Sequence, residues 1–180
     1  DRRQRQMCIR DRNTVGEGFE KGTVFLPQLL MSAEAAKTAF AVLKEKMDSS
    51  GEVQEKKGKI ILATVKGDIH DIGKNIVKVL LENYSFDVID LGKDVPPETI
   101  VDTVLEQDIH LVGLSALMTT TVVSMEETIR QLREKAPHCL VMVGGAVLNQ
   151  DYADMIGADF YGKDAMQSVH YAQRVFGTEE

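Results

Sequence analysis

The residues Ile60–Asn75 read IILATVKGDIHDIGKN, and this stretch decides the fold. Its first six residues are apolar or β-branched, which is typical of a buried strand. Apolar residues at helical spacing then predict a helix near Ile72–Asn83. The short loop between them, Gly67 to Asp71, is mostly polar. A buried strand that leads through a short loop into a helix is the first unit of a parallel α/β sheet.

The same alternation continues along the chain. Runs rich in Val, Ile and Leu are separated by amphipathic stretches that are long enough to connect parallel strands. Helices then cover both faces of the sheet. We therefore predict an α/β fold with a five-stranded doubly wound parallel sheet. The predicted strands are Ile60–Val65, Asp87–Leu91, Leu111–Ala116, Leu140–Gly145 and Asp159–Gly162, and the predicted helices lie near Ile72–Asn83, Pro97–Glu106, Ser124–Lys135, Tyr152–Ile156 and Ala165–Val175.

Three segments precede this domain, which we place at residues 59–180. Residues 1–14 are charged and carry little apolar pattern, so we expect them to be disordered or extraneous to the fold. Residues 15–48 carry apolar side chains at roughly helical spacing and predict one short and one longer helix. Residues 49–58 are polar and glycine-bearing, which predicts a linker.

Composition excludes several classes of function. The net charge is −7, from 21 basic and 28 acidic residues, with no long basic run, so we expect no nucleic-acid surface. Cys8 and Cys139 are too few and too far apart for a disulfide framework. No apolar run is long enough to span a membrane. We expect a cytoplasmic, soluble protein whose partner is a small molecule or another protein.

The polar residues that carry chemistry follow the predicted strands. In a doubly wound sheet the ligand lies beyond the carboxyl ends of the strands, where the strand order reverses. Asp68 and His70 follow the first strand and are two residues apart, so a carboxylate could accept the imidazole proton and orient a metal-ligating histidine. A hydroxyl-rich turn, Ser115 to Thr121, follows the third strand. Gly144 and Gly145 end the fourth strand and would leave a slot for a flat or elongated group.

Three common nucleotide or phosphate sites do not match this loop. The spacing from Gly67 to Gly73 is one residue too long for a phosphate-binding GxxxxGK[ST] loop, and Asn75 replaces its hydroxyl. A GxGxxG dinucleotide motif is absent after the first strand. A phospho-acceptor receiver domain would carry an aspartate where Ser115 stands.

The motifs Asp68-x-His70-x-x-Gly73, Ser115-x-Leu117 and Gly144-Gly145 together resemble the corrinoid-binding signature of cobalamin-dependent methyltransferases and mutases. The resemblance implies a flavodoxin-like cobalamin-binding fold with His70 as the lower cobalt ligand. It implies that Asp68 is the hydrogen-bonded partner of His70 and that Thr121 completes a proton relay. It further implies cofactor contacts by Gly67, Asp68, Ile69, His70, Asp71, Gly73, Ser115, Leu117, Thr119, Gly144, Gly145 and Ala165.

The N-terminal helices are similar to the last part of the helical cap of methionine synthases, which covers the upper face of the corrin. By this resemblance residues 15–48 form a partial helical cap, with Phe19 and Leu26 as lid contacts. The stretch Ala63–Val77 also resembles methionine synthase. We expect that the chain is either a fragment of a larger enzyme or a stand-alone corrinoid protein.

The resemblance therefore favours a methyl-carrying module that binds cobalamin as methylcobalamin. The favoured type is methionine synthase, which moves a methyl group from methyltetrahydrofolate to homocysteine. The alternative is a stand-alone corrinoid protein for methylamine or methanol methyltransferases. The segments LSALMTTT (Leu114–Thr121) and VMVGGAVLNQDYADMIGADFY (Val141–Tyr161) lean toward this alternative. A cobalamin-based sensor is a further alternative. The expected partners are methyltransferase modules or subunits that donate and accept the methyl group.

Overall fold

The computed structural model describes residues 56–178. The predicted partial cap, its contacts Phe19 and Leu26, and most of the predicted linker lie outside the described residues. The strands are β1 Lys59–Val65, β2 Asp87–Val95, β3 Leu111–Ser115, β4 Leu140–Gly144 and β5 Phe160–Tyr161. The helices are α1 Ile72–Asn83, α2 Pro97–Gln107, α3 Val122–Lys135, α4 Gln150–Met155 and α5 Ala165–Val175, with a 3₁₀ turn at Thr119–Thr121.

The five strands form one parallel sheet in the order β2-β1-β3-β4-β5. The prediction of a five-stranded doubly wound parallel sheet is therefore confirmed. The interior strand β1 is buried on both faces from Ile60 to Val65, which explains its continuous run of apolar and β-branched residues. The strand order reverses between β1 and β3, where ligands bind in folds of this order.

Two layers of helices cover the sheet and create two apolar cores. Helices α2, α3 and α4 pack on one face, against β1 side chains such as Ile61 and Ala63. Helices α1 and α5 pack on the other face, against Ile60 and Leu62. The alternation of neighbouring β1 residues between the two cores follows from the two-residue repeat of a strand.

Local signals in the sequence fix the helix ends. Pro97 stands at the first position of α2, where its missing N–H costs nothing. The side chains of Asn149 and Asp164 cap α4 and α5 by accepting hydrogen bonds from the backbone N–H groups of Tyr152 and Gln167, each at 2.8 Å. In the part of the chain that the structure describes, no helix combines the length and the apolar character that a membrane span requires.

Candidate cofactor site at the carboxyl edge of the sheet

The carboxylate of Asp68 joins the loop after β1 to the loop after β3. Asp68 is fully buried. Its Oδ1 accepts hydrogen bonds from the backbone N–H of His70 at 3.0 Å and from Nδ1 of the same residue at 2.8 Å. Its Oδ2 accepts from the backbone N–H groups of Leu117 at 2.6 Å and Met118 at 3.3 Å, and from Oγ1 of Thr121 at 2.9 Å. Five donors from two loops therefore converge on one carboxylate.

These contacts decide the charge of the group. Burial raises the pKa of Asp68, but the hydrogen bonds from His70, Leu117 and Thr121 outweigh it and hold the pKa well below the ordinary value of 3.8. The carboxylate is thus ionised at neutral pH and can only accept hydrogen bonds. Nδ1 of His70 must then carry a proton, and in the neutral ring Nε2 keeps its lone pair.

The imidazole of His70 is available to a ligand. Its side chain is 46% exposed although its partner Asp68 is buried. No residue of the described part of the chain forms a hydrogen bond with Nε2 of His70. A histidine that donates one ring N–H to a carboxylate and presents the other nitrogen has the arrangement typical of a metal ligand.

A single nitrogen ligand from the protein suits a metal ion whose other ligands belong to a bound cofactor. Within residues 56–178, no group of three or more His, Cys, Asp and Glu side chains could hold a metal ion. A corrin supplies most of the ligands of its own cobalt, so the protein would need to add only one nitrogen. The residues present therefore fit the group that the sequence resemblance implied.

Exposed apolar side chains stand in the two loops that Asp68 joins and at the start of α1. Ile69, beside His70 in the loop after β1, is 63% exposed, and Ile72 at the start of α1 is 74% exposed. Leu117 and Met118, whose backbone N–H groups hold Asp68, are 39% and 36% exposed. We call these four residues the apolar rim. Large exposed apolar side chains beside polar groups are characteristic of a ligand surface.

A second part of the edge lies on the face that α1 and α5 cover. Thr64, Ser115 and Gly144 are in register across β1, β3 and β4. The hydroxyl of Thr64 is the one buried side-chain N or O atom among the described residues without a hydrogen-bond partner. A buried unpaired hydroxyl is costly, so a polar group of a ligand would satisfy it. The sequence prediction missed Thr64 because a threonine in a strand gives no signal that its hydroxyl is unpaired.

The glycine pair after β4 permits close approach of two loops. Gly145 has φ of 148°, and a Cβ atom built there would lie 1.8 Å from the carbonyl oxygen of Ala116. Any side chain at Gly145 would therefore push the β3 and β4 loops apart. At Gly144 the nearest atom to such a Cβ is the carbonyl oxygen of Gly162 at 3.5 Å, which is ordinary van der Waals contact, so a Cβ would fit there.

The other residues predicted as cofactor contacts also lie at this edge of the sheet. Gly67 belongs to the reverse turn after β1, and Gly73 stands in the first turn of α1 with open space around it. Asp71 precedes α1 without a side-chain cap. Thr119 is exposed in the 3₁₀ turn, and Ala165 begins α5. The structure thus brings Asp68, His70 and Thr121 into direct contact and leaves these others as predictions.

Two family models match this chain. The model described as "B12 binding domain" matches residues 58–170, which is more than half of the chain. A second model with the same description matches residues 13–44.

Curated relatives share much of the sequence. Trimethylamine corrinoid protein 1 of Methanosarcina acetivorans is 43% identical over 163 residues, which is 89% of this chain and 76% of the relative. Dimethylamine corrinoid protein 1 of the same organism is 41% identical over 165 residues, which is 91% of this chain and 77% of the relative.

Solved structures agree with these matches. A cobalamin-binding protein from Desulfitobacterium hafniense aligns with a TM-score of 0.73 and 37% identity, covering 91% of this chain and 77% of that one. The methanol:cobalamin methyltransferase complex from Methanosarcina barkeri contains a chain with a TM-score of 0.75 and 32% identity, covering 93% of this chain and 64% of that one. A signal receiver domain from Vibrio parahaemolyticus reaches a TM-score of 0.52 at 11% identity, which is a likeness of fold alone.

These findings correct one sequence prediction. The favoured type was methionine synthase, but the relatives are corrinoid proteins for trimethylamine and dimethylamine, which fit the alternative better. That prediction rested on the resemblance of residues 15–48 to the helical cap, taken together with that of Ala63–Val77. The segment Leu114–Thr121, which leaned toward the short corrinoid proteins, was the better guide.

Proposed function

Because this chain belongs to the family of B12-binding domains, we propose that it is the corrinoid protein of a methyltransferase system for methylamines or methanol. In this role it carries a methyl group between two methyltransferases. When bound, cobalamin supplies a cobalt ion that accepts and releases methyl groups. The observation that carries the proposal is the Asp68–His70 pair, which presents one imidazole nitrogen at the carboxyl edge of the sheet.

The residues of this chain have separate tasks in that role. His70 would hold cobalt through Nε2, while Asp68 fixes the tautomer and direction of the ring. Thr121 donates to Asp68 and so adjusts how strongly the carboxylate holds the Nδ1 proton of His70. The apolar rim would cover part of the corrin and exclude water from it. Thr64, Ser115 and the glycine pair at the end of β4 would contact the nucleotide tail.

The same contacts would act on a proton at the imidazole. If Nε2 carries a proton in place of a ligand, the ring is charged, and the ionised Asp68 would stabilise that charge. The buried carboxylate and its five donors would thus link the proton on His70 to whether its Nε2 holds a ligand.

Cobalamin binding is tested with the purified full chain and methylcobalamin. We expect the visible spectrum of the wild-type complex to show a histidine ligand. The variant His70→Ala should bind the corrinoid with a spectrum that lacks this ligand. His170→Ala, an exposed histidine on α5, serves as the matched control and should behave as wild type. If His70→Ala and wild type give the same spectrum, the ligand assignment is wrong.

The methyl donor is tested by exchange of subunits. The loaded chain replaces the corrinoid protein in the methanol:cobalamin methyltransferase system of M. barkeri and in a trimethylamine system of M. acetivorans. Methyl transfer that depends on methanol or on trimethylamine supports the proposal and identifies the class of donor. Transfer only from methyltetrahydrofolate to homocysteine would instead support the methionine synthase type.

A further inference from the structure

The turn that carries Asp68 is held from a third strand as well. Residues Val65–Asp68 form a reverse turn in which the N–H of Asp68 donates to the carbonyl of Val65 at 3.1 Å. Gly67 has φ of 86°, which is typical of the third position of a type II turn. Such a turn leaves the N–H of Gly67 and the carbonyl of Asp68 to find partners elsewhere.

Both partners come from Asp94 in β2. Oδ1 of Asp94 accepts a hydrogen bond from the N–H of Gly67 at 2.7 Å. The N–H of Asp94 donates to the carbonyl oxygen of Asp68 at 3.0 Å. One residue therefore bonds to both ends of the Gly67–Asp68 pair, and Asp68 is the residue whose carboxylate holds the imidazole of His70.

The backbone of β2 is shaped to make these two contacts. The pairing of β1 with β2 shifts register twice, between Leu62 and Ala63 and between Ala63 and Val65. Asp94 has φ of 55°, a left-handed conformation that is uncommon for residues other than glycine, although Asp and Asn adopt it more readily than most. The side chain of Asp94 is polar and exposed, so packing in the core does not explain this left-handed conformation. Strained backbone near bulged strand ends is frequent at functional sites.

We propose that Asp94 is a positioning residue, which sets the orientation of the Asp68–His70 pair by holding the turn between them and β1. This rests on the proposed function for its link to the cofactor. The geometry itself concerns only residues of this chain. Asp94 hydrogen-bonds to backbone groups of Gly67 and Asp68, and so acts through the backbone of Asp68.

Three substitutions distinguish the effect of the Asp94 carboxylate from the effect of its left-handed backbone conformation. Asp94→Asn keeps an acceptor oxygen and a residue type that tolerates the left-handed conformation. Asp94→Gly relieves the strain but removes the acceptor, and Asp94→Ala removes the acceptor and keeps the strain. Asp108→Gly is the matched control, because Asp108 is also exposed with φ of 51° but ends α2, away from the loop after β1.

The first measurement uses the full chain without cofactor. Nitrogen NMR of labelled histidine reports the tautomer of His70 and the exchange of its Nδ1 proton. We expect Asp94→Gly and Asp94→Ala to speed this exchange and to populate the other tautomer, whereas Asp94→Asn and Asp108→Gly match wild type. Thermal unfolding of each variant shows that it is folded. If both Asp94→Gly and Asp94→Ala give the wild-type signal, the positioning role is overturned, whether or not the chain binds cobalamin.

The second measurement adds methylcobalamin at one fixed pH and reads the fraction with histidine ligated from the visible spectrum. We expect Asp94→Gly and Asp94→Ala to lower the ratio of ligated to unligated cofactor about threefold, the effect of losing roughly one exposed hydrogen bond. Asp94→Asn should restore the wild-type ratio. Equal ratios in all variants would overturn the role. Failure of the wild type to bind cobalamin would reject the proposed function and leave the first measurement to decide on Asp94.

Discussion

Asp68 has two tasks, because the carboxylate that orients His70 also ties the β1 and β3 loops together. Burial alone would favour the neutral acid, so the ionised form of Asp68 depends on the hydrogen-bond donors around its carboxylate. Two of those donors, Leu117 and Met118, contribute backbone N–H groups. A carboxylate that only aligned the imidazole would not need hydrogen bonds from the backbone of Leu117 and Met118.

The pH dependence of stability follows from the pKa of Asp68. The folded pKa lies below the unfolded value of 3.8, so the stabilisation is complete above about pH 4 and is lost as the pH falls below that value. Asp68→Asn has no such proton equilibrium, and it leaves donors of both loops with fewer acceptors. We expect the gap in free energy of unfolding between wild type and Asp68→Asn to be largest near neutral pH and to narrow as the pH falls through 4.

Urea unfolding of the chain without cofactor, at several pH values, measures this gap. Asp102→Asn, at an exposed position in α2, is the control and should follow wild type at every pH. A gap between wild type and Asp68→Asn that stays constant from neutral pH to pH 3 would contradict the assignment.

At the scale of elements, the two carboxyl-edge glycines Gly73 and Gly145 have opposite structural roles. Gly145 lies against the carbonyl of Ala116, and Gly73 in α1 has no atom near the place of a Cβ. We expect Gly145→Ala to lower the free energy of unfolding by at least about 2 kcal/mol, since backbone atoms must move. Gly73→Ala should raise it by about 0.5 to 1 kcal/mol, because alanine favours the helix.

Cofactor binding distinguishes the two glycines again. If Gly73 contacts the corrinoid, the added methyl group of Gly73→Ala weakens cobalamin binding in a protein that is more stable than wild type. Chemical unfolding and a spectroscopic binding titration measure the two effects separately. A Gly73→Ala variant that binds as wild type does would remove Gly73 from the predicted contacts.

The elements themselves were predictable to different degrees. Helices α1 and α5 begin and end where the apolar period predicts, at Ile72–Asn83 and Ala165–Val175. Strand β2 was predicted only to Leu91 and extends to Val95. Its end contains Gly92 and Asp94 with positive φ, and a bulge depends on the partner strand rather than on the alternation of side chains. The same limit hid Asp94 as a partner of the Asp68 turn.

In the candidate site, contacts between side chains were predictable from the sequence. Asp68, His70 and Thr121 come from two loops that meet because parallel strands end at one edge, and their contacts follow the predicted relay geometry. Leu117 and Met118 donate through backbone N–H groups, and the residue type gives no indication of such a contact. The unpaired hydroxyl of Thr64 depends on what packs around it, and that is a property of the assembled fold.

At the scale of the whole molecule, the apolar rim gives a prediction about binding and stability together. Ile69 leaves most of its side chain in contact with water, at an edge that the proposed cofactor would cover. A ligand that binds only the folded chain raises the free energy of unfolding, by about 2.7 kcal/mol at 100 times its dissociation constant. We therefore expect the unfolding temperature of wild type to rise as cobalamin is added.

Ile69→Ser removes apolar area that only the bound state would bury. It should leave the stability of the free chain nearly unchanged and weaken cobalamin binding about tenfold, which corresponds to about 1.4 kcal/mol of lost burial. Met155→Ser, at a 67% exposed position of α4, is the matched control and should keep both the affinity and the thermal shift. Thermal scans over a cobalamin series measure both quantities. If cobalamin raised the unfolding temperatures of Ile69→Ser and wild type equally, the corrin would not lie on the apolar rim. Burial of Ile69 by the cofactor would otherwise make both the affinity and the rise in unfolding temperature larger in wild type.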